Sequence, residues 1–467
     1  MSETSVTEET SVTEEMVLAT LSQIKDPDLH RDIVSLGFIR NIKICGSTVA
    51  FDINLTTPAC PVKEVIRDEA KGLVESLPGI SQANINMTAE VRQHSAPDKS
   101  AIAGIRNIVA VGSGKGGVGK STVAVNIAAA LAQTGAKVGL LDGDVYGPSI
   151  PIMMGVQREL ATTDDGHMIP HEAHGVRFIS MGYFAPGDKP LIWRGPMATK
   201  ALQQCLLNVE WGELDYLLID LPPGTGDVHL TVVQTVPLTG GVIVSTPQDV
   251  GVTIAMKTLR MFQQTSVPIL GIIENMSYYL CAGCGRREEI FGHGQVAKAS
   301  EGLGISFLGE VPLDPLIRAQ ADSGTPIVIS HPETASATAY RNIAELLAAQ
   351  VSIQNYSESE VTGCRPLDVK PSSPTELTIA WDDGHVSTYL FRHLREECPC
   401  AMCVDEWTHE KRLDPASVPD DIHSLNISPV GNYGIRFNWS DGHNTGLYKF
   451  DRLREMCRCA VCASRKG

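Results

Sequence analysis

Gly114-Lys115-Gly116-Gly117-Val118-Gly119-Lys120-Ser121 fits the spacing G-x-x-x-x-G-K-[ST]. Glycines at these positions let the backbone curl until successive N–H groups point at phosphate oxygens. A helix that starts here adds its partial positive charge. Lys120 is then expected to reach the β- and γ-phosphates of ATP, and the Ser121 hydroxyl to bind Mg²⁺. The context supports this: the apolar run Ile108–Val111 precedes the loop, and an alanine-rich helical stretch, Ser121–Leu131, follows it. Three aspartates lie downstream, Asp142 and Asp144 after Leu140-Leu141, and Asp220 after Leu218-Ile219. In open parallel sheets ligands bind outside the carboxyl ends of the strands. Asp220 is therefore expected to hold Mg²⁺ through water, and Asp142 or Asp144 to orient the attacking water. Strand-end aspartates also cap helices, so the order of all three after the loop carries more weight than any one of them.

The chain has twelve cysteines, eight of them in three tight clusters. Cys281-Ala282-Gly283-Cys284 supplies two thiolates, whereas zinc or a four-iron cluster takes four ligands. A symmetric dimer sharing one metal centre would supply them. A redox pair, or a zinc site closed by this chain's own ligands such as His293, is the alternative. Cys398, Cys400 and Cys403 repeat the spacing C-x-C-x-x-C of Cys457, Cys459 and Cys462, a metal-type pattern of soft ligands with the fourth ligand still to be found. Cys60 stands in Thr57-Pro58-Ala59-Cys60-Pro61, a strand-to-helix turn, where a helix start would stabilise a thiolate; a capping or buried cysteine is the alternative. Cys45, Cys205 and Cys364 receive no role.

These groups need elements to position them. From about Asn107, short apolar strands alternate with helical stretches: Ile108–Val111, Lys137–Leu141, Tyr216–Ile219, Gly241–Ser245 and Ile269–Ile273. That alternation predicts an α/β domain with a parallel sheet covered on both faces, spanning residues 107–350. Ahead of it, residues 16–93 read as a small α+β domain: helical spacing at Met16–Ile24 and Pro61–Leu77, and a hairpin, Phe38–Ile44 with Thr48–Leu55. Residues 1–15 carry a tandem TSVTEE repeat and read as an acidic disordered tail. Residues 94–106 and 351–373 read as linkers. Residues 374–467 repeat internally: Trp381, Gly384 and His385 match Trp439, Gly442 and His443, and the cysteine triples match in turn, which predicts a pseudo-symmetric, β-rich metal-binding domain.

With 467 residues, several domains are expected. The net charge of −16 argues against nucleic acid or a polybasic membrane docker as partner. No apolar run is long enough to span a bilayer. The first fifteen residues hold five glutamates and no base, unlike an export or transit signal. A cytoplasmic setting is expected, and clustered cysteines there favour metal over disulfides.

Gly114–Thr122, Leu141–Ser149, Arg194-Gly195-Pro196-Met197, Asp215–Asp227, Glu274-Asn275-Met276, the Cys281/Cys284 pair and Phe291-Gly292 together resemble the Mrp/ApbC family of P-loop iron–sulfur cluster carriers, relatives of the MinD/ParA group. Asp26-Pro27-Asp28 with Thr57–Pro61 resembles the iron–sulfur assembly module often fused ahead of that domain. The C-terminal repeat resembles the zinc-binding module at the front of gamma-butyrobetaine hydroxylase, and the three-part order is similar to that of the chloroplast high-chlorophyll-fluorescence scaffold. The resemblance implies an ATP-hydrolysing carrier that binds a 4Fe–4S cluster on Cys281 and Cys284 across a homodimer. It would receive the cluster from an upstream assembly scaffold and deliver it to apo iron–sulfur proteins, with ATP gating loading or release. It also implies that Lys115 reaches the partner subunit's nucleotide, that Asn275 contacts adenine and that Cys60 assists transfer. In the hydroxylase module a later histidine joins three such cysteines. By position that is His443 for Cys398, Cys400 and Cys403, with His409 as competitor; pseudo-symmetry then assigns His385 to Cys457, Cys459 and Cys462, as two structural zinc sites. The cysteine triples and the central pair are not expected in the resembled plant proteins, which favours a bacterial cytoplasmic protein over a mature form in the plastid stroma. The rivals are a MinD/ParA-like positioning ATPase, which needs a membrane-binding helix or a basic DNA-binding patch, and an ATP-dependent electron-transfer protein.

Overall fold

The computed structural model describes residues 12–94, 102–145, 147–184, 195–224, 226–281, 283–292, 294–362, 366–381, 384–400, 402–404, 411–430, 434–459 and 462. The chain divides into two compact units, Met1–Asn355 and Tyr356–Gly467.

The first unit opens with helix α1, Glu14–Leu21, capped by Thr13, whose hydroxyl accepts from the Met16 amide at 3.3 Å. The glutamates read as part of an acidic tail thus form the first turn of a helix, where the macrodipole favours them; residues 1–11 lie outside the described part. Strands β1 (Ile39–Cys45) and β2 (Thr48–Leu55) form an antiparallel hairpin, turning at Gly46 with φ +60°. Every second residue of β2 is buried, the signature of a strand with one face on a core. Helix α2 (Lys63–Glu75) returns the chain to β3 (Gln82–Ala89), which pairs parallel to β2.

The central sheet is built from β4 (Ile105–Ser113), β5 (Val138–Asp142), the short β6 (His171–Ala173), β7 (Val176–Ser180), β8 (Leu214–Asp220), β9 (Gly240–Ser245), β10 (Ile269–Asn275) and β11 (Phe307–Val311). Its order is β11-β10-β9-β4-β8-β5-β7-β6, parallel throughout except for the edge strand β6. The middle strands are buried at every residue but Arg106 and Asp215 near two strand starts, as expected for a sheet covered on both faces. Helix α3 (Lys120–Gln133) packs its alanine-rich body, Ala128, Ala129 and Ala130 among it, into one of those cores. The order switches direction beside β4, which puts the loop after β4 at the carboxyl edge where ligands bind in such sheets.

The small domain is seated on the central one. The Tyr216 hydroxyl donates to Thr57 Oγ1 at 3.0 Å, both residues being buried, and Ala59 joins the central core. Arg106 Nη1 and Asn107 Nδ2 donate to the carbonyls of Val91 and Arg92 at 2.6 and 3.0 Å. The segment read as a linker over 94–106 is therefore structured at both ends: β4 already begins at Ile105, and the His94 amide donates to the Arg106 carbonyl at 2.9 Å.

The second expected linker, 351–373, is corrected more sharply. Helix α4 runs from Ala335 to Thr362, and Pro366–Ser373 form a strand, β12. The polar residues that suggested a linker have specific partners. Ser352 donates to the Ala348 carbonyl at 3.0 Å, and Asn355 donates to Asn107 Oδ1 at 2.9 Å. Pro366 and Pro371 are tolerated because β12 is an edge strand, paired only with β13 (Glu376–Trp381), with register irregularities at both prolines.

In the second unit β14 (Val386–Leu390) completes the first three-stranded antiparallel sheet, and helix α5 (Phe391–Glu396) follows. The second copy repeats this with β15 (Ser424–Val430), β16 (Gly434–Trp439), β17 (Leu447–Lys449) and helix α6 (Phe450–Glu455). One aromatic core serves both copies: Trp381, Tyr389 and Phe391 from the first, Phe437, Trp439, Tyr448 and Phe450 from the second, with Phe437 stacked on Trp439 at 4.6 Å.

Tyr216→Phe tests the seating of the small domain. Loss of one buried hydroxyl donor should lower stability by about 1 kcal/mol, read as a shift of the denaturation midpoint; an unshifted midpoint would mean that Thr57 does not depend on it.

Candidate functional site

The loop after β4 reaches α3 through Gly117 and Gly119, both at φ +79°. Gly114 and Lys115 are half-buried, Gly116 and Gly117 exposed, Val118 buried, and Ser121 and Thr122 half-buried at the start of α3. Lys120 Nζ lies 2.5 Å from Asp220 Oδ1, and the Ser121 hydroxyl donates to Asp220 Oδ2 at 2.5 Å. Lys120 and Asp220 are both buried. Burial pushes the Asp220 carboxyl upward, and the Lys120 charge and the two donors oppose that. The three groups expected to handle ATP and Mg²⁺ thus form one closed cluster.

Asp142 does not stand free to orient a water. Its carboxylate accepts from the amides of Asp144, Ser149 and Ile150 at 3.1–3.2 Å and from the Ser180 hydroxyl at 2.8 Å. Burial, and next the Asp220 charge, pushes its pKa up to about 7. Asp142 holds the loop after β5 in shape. Asp144 is half-buried on that loop and accepts from the Gly147 amide at 3.1 Å.

Asn275, at the end of β10, is buried and donates from Nδ2 to the Val118 carbonyl at 2.7 Å. It therefore clips the phosphate loop from behind, in a position that spacing alone did not indicate. A Cβ on Gly119 would come within 2.3 Å of that Nδ2, so this position needs glycine for space as well as for φ. His229 was also missed. It is buried on the helix Asp227–Thr235, and among the described residues neither ring nitrogen has a hydrogen-bond partner. Burial, and next the charge of Lys120, lowers its pKa to about 4, so it is neutral beside the loop. The only signal in sequence was its place just after the Asp220–Gly226 turn.

From Asn275 the chain turns at Met276, with φ +57°, and enters a small antiparallel hairpin, Tyr279–Leu280 with Arg287–Glu288. Cys281 and Cys284 sit in its tip, half-buried and exposed respectively. The Gly283 and Cys284 amides lower the Cys281 thiol's pKa. Arg287 anchors the hairpin: its guanidinium lies 3.8 Å over the Tyr278 ring and 2.8 Å from Glu310 on β11. His293 lies outside the described residues.

The expected Cys60 thiolate is corrected. Helix α2 begins only at Lys63, and burial pushes the half-buried Cys60 thiol up to about 11, with the nearby Asp26, Asp28 and Glu345 carboxylates adding to the rise. The turn carrying Cys60 docks near the start of β8, through Thr57 and Tyr216, whereas Asp220 ends the same strand about 13 Å away at ~3.3 Å per residue.

In the C-terminal unit two donor sets assemble. His443 Nε2 is 3.2, 3.4 and 3.9 Å from the Sγ atoms of Cys398, Cys400 and Cys403. His385 Nε2 is 3.3, 3.7 and 3.7 Å from those of Cys457, Cys459 and Cys462. A tetrahedral zinc with its usual bond lengths puts such donors about 3.6 Å apart, so both sets fit that ion in spacing and in chemistry. His409 lies outside the described residues. Gly446 makes room for the first set, since a Cβ there would come within 2.6 Å of Cys398 Sγ.

Comparison with known proteins follows the same three parts. The model of the NUBPL iron-transfer P-loop NTPase family matches residues 104–348, that of the iron-sulfur cluster assembly protein matches 14–87, and that of the gamma-butyrobetaine hydroxylase-like N-terminal region matches 370–454. The iron-sulfur cluster carrier protein of Deinococcus radiodurans is 49% identical over 73% of this chain and 97% of its own. The chloroplastic Fe-S cluster assembly factor HCF101 of Arabidopsis thaliana is 39% identical over 95% of this chain and 83% of its own. Among solved structures, a nucleotide-binding protein from Archaeoglobus fulgidus in complex with ADP is 40% identical, covers 48% of this chain and 88% of its own, and has a TM-score of 0.43.

Gly119→Ala should abolish ATP binding, since the new methyl group displaces Asn275 and strains the loop. Isothermal titration checks it. Binding that survives within a few-fold would mean that the loop does not need this geometry.

Proposed function

Because the chain belongs to the NUBPL iron-transfer P-loop NTPase family, we propose that its nucleotide site gates a shared iron–sulfur site one strand away. The protein is an ATP-binding iron–sulfur carrier of that family, and the family's activity implies hydrolysis of the bound ATP. The finer reading is ours. The cargo is a 4Fe–4S cluster, held by Cys281 and Cys284 of two subunits in a homodimer, and it passes from an upstream assembly scaffold to apo iron–sulfur proteins. Two thiolates per chain make half a cluster site, and exposed Ile290 and Phe291 beside the hairpin give a second subunit apolar surface to cover. Bacterial carrier relatives favour a cytoplasmic setting. No helix among the described residues is long and apolar enough to cross a membrane.

The observation that carries this reading is the Asn275 clip. Val118 is in the phosphate loop, Asn275 ends β10, and the chain from Asn275 runs directly into the hairpin of Cys281 and Cys284. When Mg·ATP enters, Lys120 exchanges the Asp220 carboxylate for the β- and γ-phosphates. Ser121 and, through water, Asp220 would hold Mg²⁺, which would supply charge to screen the phosphates. Lys115 extends toward the partner's nucleotide, and Asp144 orients the attacking water. Any movement of Val118 in this exchange is passed through Asn275 to the cysteine hairpin, which Arg287 holds at its other side. The C-terminal donor sets hold zinc, which stabilises that small unit. Cys60, protonated at neutral pH, becomes an acceptor of cluster iron only when a recipient or metal displaces its proton.

Two measurements test this. Cys281→Ser or Cys284→Ser should lose the reconstituted iron of the central domain while ATP binding stays nearly intact; four irons per dimer retained in that domain by the double variant would refute the shared site. Lys120→Ala should weaken ATP binding by a factor on the order of tens to hundreds through loss of a charged phosphate contact, and Asp144→Ala should spare binding but slow phosphate release. Equal loss of binding in both would refute the division of roles.

A further inference from the structure

The two halves of the C-terminal unit exchange their ligands. Each cysteine triple belongs to one repeat and its histidine to the other: His443 with Cys398, Cys400 and Cys403, His385 with Cys457, Cys459 and Cys462. The exchange extends beyond the donors. The Tyr389 hydroxyl donates to the Leu453 carbonyl at 2.5 Å, and the Tyr448 hydroxyl donates to the Leu394 carbonyl at 2.8 Å, each reaching into the opposite repeat's short helix. The same turn presents both histidines: the Trp381 amide donates to the His385 carbonyl at 2.8 Å and the Trp439 amide to the His443 carbonyl at 2.9 Å. An arginine from the triple's own repeat faces each thiol set, with Arg395 Nη1 3.5 Å from Cys403 Sγ and Arg454 Nη1 3.0 Å from Cys462 Sγ.

We propose that the two Cys₃His sets form one reciprocal clasp, which takes up two zinc ions cooperatively and so joins the two repeats into a single folding unit. This rests on the zinc reading of the donor sets given above. Only β14 and α5 separate His385 from Cys398, and only β17 and α6 separate His443 from Cys457. An ion at one centre therefore fixes a histidine of one repeat and a triple of the other, and through these short packed runs it positions the remaining triple and histidine. The loop-closure entropy of bringing the repeats together is lost once, with the first ion. The second ion meets a site already formed and binds more tightly, and by linkage removal of either ion weakens the other. Each closing centre releases its thiol protons to solvent. Zinc with three thiolates and a neutral imidazole carries one net negative charge, which a bare buried centre would bear at a cost; Arg454 faces one centre, and Arg395, itself paired with Asp441 at 2.8 Å, still directs an N–H at a thiol of the other.

The test uses the full-length chain with Cys281→Ser and Cys284→Ser in every sample, so that the central thiols take no zinc. Metal-free reduced protein is titrated with zinc in competition with a chromophoric chelator. Uptake of two ions per chain is expected along a sigmoidal curve, the second ion binding on the order of tenfold tighter. His385→Ala removes a ligand from the Cys457 centre alone, yet it should also weaken the Cys398 centre by about tenfold. His385→Cys, which restores a fourth ligand, should return both ions. Tyr389→Phe, which keeps every ligand and nearly all packing, should flatten the sigmoid while still taking up two ions. Two ions bound independently, or a Cys398 centre left at its original affinity in His385→Ala, would overturn the clasp and leave the zinc reading intact. A parent chain that takes up no zinc would overturn both. If His385→Ala fails to fold, the parent curve and Tyr389→Phe decide: a sigmoid that Tyr389→Phe flattens supports the clasp, and a parent curve without sigmoid refutes it.

Discussion

The hydrogen bond from Asn275 to the Val118 carbonyl is the contact through which the two halves of the central chemistry meet. A phosphate loop is a strip of backbone with little side-chain packing of its own, so its curvature must be held from outside. Here the holding group is a buried amide at the end of β10, close enough to Gly119 that a single added carbon would collide with it. An amide in this position is costly to leave unsatisfied, so the loop and the strand end move together or the bond breaks. Because the cysteine hairpin continues from that strand end, the proposed coupling of nucleotide to iron–sulfur cargo needs no path longer than this stretch of backbone.

Both metal-type regions of the chain divide their ligands between two bodies. The central hairpin offers two thiols, half of what a four-ligand centre takes. The C-terminal unit carries its second body within the same chain, as a repeat, and exchanges histidines across it. A centre divided in this way reports association: it is complete only when both contributors are in place. On the reading proposed above, cargo binding in the central domain would depend on a second subunit, whereas in the C-terminal unit a metal would be a fixture of the fold.

Much of this was legible in sequence because the residues concerned act locally. The P-loop, the strand before it and the helix after it follow from glycine spacing and apolar runs, and β2 was readable from end to end because its face alternates. Other parts depend on distant partners. Gln82–Ala89 is polar and was not read as a strand, since its partner β2 supplies the order. Phe307–Val311, with Gly309 and Glu310 in it, is not among the expected strands, although Glu310 holds Arg287 of the cysteine hairpin. Ser352 and Asn355 resembled linker residues because their partners lie elsewhere in the fold. At Cys60 the structure favours the buried-cysteine alternative: a helix start favours a thiolate, but burial and the carboxylates of Asp26, Asp28 and Glu345 act against it. His443 followed from the resemblance and His385 from the pseudo-symmetry of the repeat, which also aligns Arg395 with Arg454 but says nothing of the thiols they face.

The most direct test of nucleotide–cargo coupling removes the clip and keeps every cysteine, with ATP raised to the level that titration shows to saturate the variant. Asn275→Ala, reconstituted anaerobically, should keep its iron content. At saturating ATP, the rate of cluster transfer to an apo-ferredoxin is compared with the rate without nucleotide. The parent protein should show an ATP-dependent change in that rate, and Asn275→Ala should transfer at one rate in both conditions. An ATP effect of undiminished size in Asn275→Ala would contradict the account, because the loop would then be reaching the cysteines by another route.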